Sequence, residues 1–136
     1  MEQAIEAVKN MVVQQAKHFL TEAGEFYPFG AVQKADGTLV PVVAGAAEDL
    51  PESQPLLELL EQSIRHQLTT GVSNVGAIGL DVRLRFSLDT PATDALQIRL
   101  LTAEGYSVDY FMTYRLAEDR LICDPLFEET GTFTLD

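Results

Sequence analysis

The residues from which catalytic and metal centres are most often assembled are scarce in this chain. Its one cysteine, Cys123, has no partner for an internal disulfide. Two histidines, His18 and His66, together with that cysteine fall short of the four ligands that a structural zinc site takes. Apolar stretches run to only a few residues, against the roughly 20 that span a bilayer. The start, Met1-Glu2-Gln3-Ala4-Ile5-Glu6, lacks the basic opening and apolar block of a secretory signal. With a lone cysteine, this points to a reducing cytoplasm.

Positive charge is the other scarcity. Nine lysines and arginines face 21 acidic residues, a net charge of -12. Phosphate backbones and anionic membranes recruit basic surfaces, so neither nucleic acid nor membrane is an expected partner. A basic protein remains as one, and solubility is the plainer explanation of the acidity. Glu48, Asp49 and Glu52 crowd one segment, and Glu128 and Glu129 crowd the tail. Their spacing matches no dedicated calcium loop, and they read as a solvated acidic rim.

What is present is patterned. A chain of 136 residues, 46% hydrophobic and 22% charged, has the size and composition of one globular domain over residues 1–136. Between Glu2 and Ala23, the residues Ile5, Val8, Val12, Ala16, Phe19 and Ala23 recur at helical spacing, and Gly24 stops the pattern. Strands are expected over Phe26 to Lys34 and Leu39 to Ala44, joined through the Asp36-Gly37 turn, with Pro41 placing the second near an edge. Ala46 to Glu52 reads as a loop. A second helix follows from Ser53 to Thr69, with Leu56, Leu57, Leu60, Ile64 and Leu68 as its buried stripe. Period-two alternation then marks three strands, around Ile78 to Phe86, Leu96 to Leu100 and Tyr106 to Tyr114. A further short strand is allowed at Thr132 to Leu135.

The order α-β-β-α-β-β-β predicts an α+β domain: an antiparallel five-stranded sheet in a two-layer sandwich, with both helices on one face. In element order it resembles the roadblock/longin and profilin-like architectures, which host binding and scaffold proteins. The run Gly24-Glu25-Phe26-Tyr27-Pro28-Phe29-Gly30-Ala31, followed by Asp36-Gly37, is similar to the opening of a family of uncharacterised small bacterial proteins. That resemblance covers the first third of the chain and implies a bacterial source. It carries no activity.

Tests for chemistry return little. His18 and Glu22 stand four apart on a helix, a spacing that suits two metal ligands or a solvated side-chain pair. Cys123 has Asp119, Asp124 and Glu128 nearby in sequence, which disfavours a thiolate. Gly71-Val72-Ser73-Asn74-Val75-Gly76 has one residue too many for a nucleophile elbow and lacks the Lys-Ser/Thr of a phosphate loop. Gly71, Gly76 and Gly79 read instead as a helix stop and points of close backbone packing. No catalytic residue, metal or cofactor is expected.

Two features remain as candidate binding surfaces. Phe26-Tyr27-Pro28-Phe29 is either core packing or, on alternation, a Tyr27/Phe29 pair left for a partner. Arg83, Arg85, Arg99 and Arg115 are four of the nine basic residues, and alternation puts all four on the non-core face of the meander, with Asp81 and Asp109. They are either cross-strand ion pairs or a recognition surface. The leading expectation is a non-catalytic cytoplasmic protein-binding module, immunity-type or regulatory, using its acidity or this arginine face. The alternative is a small-molecule-binding or enzymatic domain that grips an anion with these arginines beside Tyr106, Tyr110 or Tyr114. A homodimer through the sheet face is a third.

Overall fold

A computed structural model describes residues 1–43 and 53–136. The acidic segment with Glu48, Asp49 and Glu52 therefore lies outside the described residues, as does the end of the second expected strand.

Helix α1 spans Glu2–Ala23 and α2 spans Ser53–Thr69. In α1 the buried stripe is Val8, Val12, Val13, Ala16 and Leu20, and the helix ends where Gly24 turns left-handed and its N–H reaches the Leu20 carbonyl. In α2 all five stripe residues expected from the spacing are buried. Among the described residues the strands are β1 (Phe29–Lys34), β2 (Leu39–Val42), β3 (Ser73–Leu84), β4 (Thr93–Thr102), β5 (Ser107–Ala117), β6 (Arg120–Cys123) and β7 (Phe127–Thr130). They form one antiparallel sheet in the order β2-β1-β3-β4-β5-β6. β7 pairs with the first half of β5, and β6 with its second half, so two short strands share one edge. Pro41 sits in β2, the strand at the opposite edge, where its missing donor costs no ladder bond.

The α+β class and the element order agree with the sequence, with seven strands in place of five. β6 and β7 come from the tail, whose mixed composition hides them. The segment after β7 is no strand. It crosses the sheet as a strap, with Phe133 fully buried.

The placement of the helices differs from expectation. α1 packs on Phe29 and Ala31 of β1, Val75 and Ala77 of β3, and Ile98 and Leu100 of β4. α2 packs on Val32 of β1 and on Ile78 and Leu80 of β3, with Leu101 and Phe133 in the same cluster. These two sets alternate along each strand, so they point to opposite faces. The sheet is thus covered on both sides, in three layers. Register explains why the pattern misled: Ile78 pairs with Arg99, not with Ile98, so the apolar rows of β3 and β4 that look equivalent in sequence face opposite ways.

Two glycines on β3 let both helices approach. A Cβ on Gly76 would collide with Ile64 of α2, and one on Gly79 would lie 2.9 Å from the Phe29 ring and 3.0 Å from Val12 of α1. The strap is fixed by polar contacts. The buried Asp109 carboxylate accepts the Thr132 hydroxyl at 2.7 Å and its N–H at 3.2 Å. The Ser107 hydroxyl donates to the Phe133 carbonyl at 2.6 Å, and Arg65 Nε of α2 donates to the Thr134 carbonyl at 2.6 Å.

Phe133 is therefore a core residue supplied by the tail. Phe133→Ala is expected to cost about 3–5 kcal/mol in urea unfolding, whereas exposed Phe86→Ala costs less than about 1 kcal/mol. Equal effects would mean that the strap does not belong to the folded core.

Candidate functional site

The four arginines do not form a surface. Arg83 lies on the α1 side of β3 and pairs across the ladder with Asp94 at 3.5 Å, both well exposed. Arg85 follows the end of β3, and its guanidinium donates to the Thr90 carbonyl at 2.9 Å. Arg99 lies on the α2 side, half-buried, 3.9 Å from Glu61 of α2. Its buried Nε has no hydrogen-bond partner among the described residues. Arg115 is exposed near the end of β5, beside Ile122 of β6. The expectation that all four share one non-core face is corrected by the same register that separates the helices. Asp81 and Asp109 are likewise divided between the two faces, and the arginines make no common anion site.

Tyr27 and Phe29 also part company. Strand β1 begins at Phe29, because Pro28 before it has no donor for the ladder. Alternation therefore does not extend back through Phe26. Phe29 is buried, with Phe26 and Phe19 against it edge-on at centroid distances of 5.4 and 5.3 Å. Tyr27 is 43% exposed.

Both nevertheless line one cleft. It opens where α1 ends and β1 begins and has a volume of about 560 Å³. Phe19, Phe26, Tyr27, Pro28 and Phe29 make its apolar walls. Glu22, Glu25 and Asp81 bring three carboxylates to it, and Ser53 at the start of α2 completes the lining with Ala23. No lysine, arginine or histidine is among the described lining residues.

Asp81 is the chemically distinctive member. It projects from β3 on the α1 side and accepts the Tyr114 hydroxyl at 2.6 Å. Burial pushes its carboxyl above the ordinary value, while the Tyr114 hydroxyl and the Phe26 backbone pull it back, and Asp94 and Glu25 add repulsion. Tyr114 is raised in turn, first by burial and then by its bond to Asp81, so it stays a donor at any ordinary pH. Tyr110, further along β5, is pushed up to about 12, chiefly by burial and then by Glu128, with Lys9 5.0 Å above its ring.

Elsewhere among the described residues there is little reactive chemistry. Burial raises the Cys123 thiol, Lys17 opposes this weakly, and Asp124 adds to it. His18 and His66 lie on helices against opposite faces. Among the described residues no three His, Cys, Asp or Glu side chains converge as metal ligands. A second aromatic group lies on the α2 side, where half-buried Phe111 stacks on half-buried Phe127 at 5.6 Å and exposed Phe86 stands 6.4 Å from Phe127.

Of the cleft residues, the Phe26 to Phe29 run stands out in the sequence, Glu22 is visible there only as the partner of His18 four residues earlier, and Asp81 only beside the arginines. Phe19 was legible as part of the α1 stripe. The signal for Asp81 is its position: a carboxylate directly after the apolar run Val75 to Leu80 of β3. Glu25 follows the helix stop at Gly24 and carries no motif. Comparisons with models of known protein families, with curated proteins and with solved structures give no match.

The Asp81–Tyr114 pair yields a pH test. The folded state holds the Asp81 proton more tightly than the unfolded chain, so ionised Asp81 lowers stability at neutral pH, and the loss is recovered as pH falls through its raised value. Asp81→Asn keeps an acceptor for Tyr114. Its urea midpoint at pH 7 is expected to equal or exceed the native one, and the gap to close as pH approaches 3.8. Tyr114→Phe is expected to cost about 1–2 kcal/mol at pH 7 by stranding the carboxylate. A large loss on Asp81→Asn at pH 7 would refute this account.

Proposed function

We propose that this domain is a non-catalytic protein-binding module of the cytoplasm, immunity-type or regulatory, whose partner is basic. The observation that carries this reading is the state of its acidic groups. Among the described residues only Glu6, Glu61 and Asp94 have a basic group within 4 Å. The other described carboxylates, in a chain of net charge -12, have no basic group that close. Such a surface repels itself, steers cations toward it and gains when a basic partner neutralises it.

The dispersal of the arginines bears on the competing reading. An anion-gripping pocket needs converging donors, and these four side chains bond locally or stand apart. The cleft found among the described residues is instead lined by acidic and aromatic side chains. Its lining suits recognition of positive charge.

The test is affinity capture from the source cell at low salt, followed by reconstitution with the purified candidate. A basic protein that forms a defined complex is expected, with an association rate falling about tenfold or more from low to high salt. Failure to reconstitute any complex, or a rate indifferent to salt, would overturn the reading.

A further inference from the structure

We propose that the aromatic cleft at the junction of α1 and β1 is a binding site for an organic cation, and that the cation is a lysine or arginine side chain of the partner protein. The inference rests on the basic-partner reading and assigns it a place.

Three properties of the cleft select this chemistry. Its walls are aromatic and braced: Phe26 and Phe19 both meet Phe29 edge-on, and exposed Tyr27 adds an uncommitted ring. Such walls take the methylene stem of a long cationic side chain and attract its charged head through the ring faces. Its charge is of one sign. Glu22, Glu25 and Asp81 have no basic group within 4 Å among the described residues. An anion is repelled, and a neutral apolar ligand would desolvate Asp81 further with nothing in return.

The third property excludes the simplest cation. The carboxylates of the cleft do not converge as metal ligands among the described residues. An organic cation with several N–H donors, carried on an apolar stem, fits separated acceptors and aromatic walls together. The volume of about 560 Å³ lies in the range of sites for small organic ligands, enough for the side chain and some of the backbone that carries it.

The end of α1 adds to the field. Helix carbonyls give a C-terminus partial negative charge, which a basic residue in the last turn ordinarily offsets. α1 has none there, and Glu22 occupies that turn. Both Glu22 and Ala23 line the cleft. The helix end and the three carboxylates therefore act in the same direction.

Calorimetric titration of the full chain with three probes tests this: an arginine- and lysine-rich peptide, the same peptide with citrulline and acetyl-lysine, and free spermidine. Saturable binding of the basic peptide is expected, with no binding of the neutral one. Glu22→Gln with Glu25→Gln should weaken it by about tenfold, and Tyr27→Ala by about threefold. The control is Asp36→Asn with Glu104→Gln, which removes the same charge from turns at the other end of the sheet, since Gln33, Val75 and Thr102 are in register there. That control should change affinity less than about twofold. If it weakens binding as much as the cleft pair does, attraction is diffuse: the cleft proposal fails while the basic-partner reading stands. If spermidine alone binds and depends on the cleft residues, the cation is a free amine and the partner assignment fails. If no basic probe binds, the cleft proposal is overturned, and capture from the cell decides the broader reading separately.

Discussion

Strand β3 is squeezed from both sides, and the rest of the fold follows from that. α1 and α2 press on opposite faces of the same stretch, Val75 to Leu80, so every residue there must be apolar or small. Gly76 yields to Ile64 on one side and Gly79 yields to Phe29 and Val12 on the other. Because the ladder register is then held by two cores at once, a slip of one residue would carry both apolar rows to the wrong helix. Few strands are specified so strongly. The neighbouring strands β1 and β4 inherit their faces from it through the ladder.

Away from β3 the two faces are covered unequally. α1 reaches β1, β3 and β4, whereas α2 lies over β3 and β1, leaving the α2 side of β4 and β5 to be closed by other means. The strap after β7 does this, bringing Phe133 under α2 and placing its own polar groups on Asp109, Ser107 and Arg65. The buried carboxylate of Asp109 is satisfied by hydroxyl, amide and backbone donors with no direct ion pair, Gln97 supplying the amide at 3.1 Å. This face is therefore polar where a single-core sheet would be apolar, which is why Arg99 can lie half-buried there beside Glu61.

The legible parts of the fold were those whose signal is local. Both helices have the bounds that their stripes and the Gly24 stop indicate, the Asp36-Gly37 turn joins β1 to β2, and Pro41 lies on an edge strand. What depends on partners far along the chain was not legible. Alternation says that Ile78 and Ile98 each face a core, but not that the cores differ. That follows from the pairing of Ile78 with Arg99, a fact of register. The error propagated to the arginines, whose apparent common face assumed a single core. The cleft was half visible. Its aromatic run stood out, while Glu22, Glu25 and Asp81 come together only through the packing of a helix end on a strand nearly 60 residues later.

These three carboxylates share one further trait: each stands where local physics argues against it. Glu22 occupies the negative end of a helix. Asp81 stands where the doubly buried stretch of β3 gives way to half-buried and exposed residues, at a point where burial still disfavours its charge. Glu25 adds repulsion to Asp81. One such placement would be an ordinary imperfection. Three at one cleft, beside aromatic rings and without a neutralising base among the described residues, form a coherent violation. Local rules are broken in concert chiefly where a bound group repays the cost. In the proposed complex a positively charged side chain relieves all three at once; the buried carboxylate of the other face, Asp109, is instead enclosed by Thr132 and Gln97. Two acidic groups on opposite sides of the same sheet thus differ in setting: Asp109 is buried and ties the strap to the sheet, whereas Asp81, held by Tyr114, also lines the cleft.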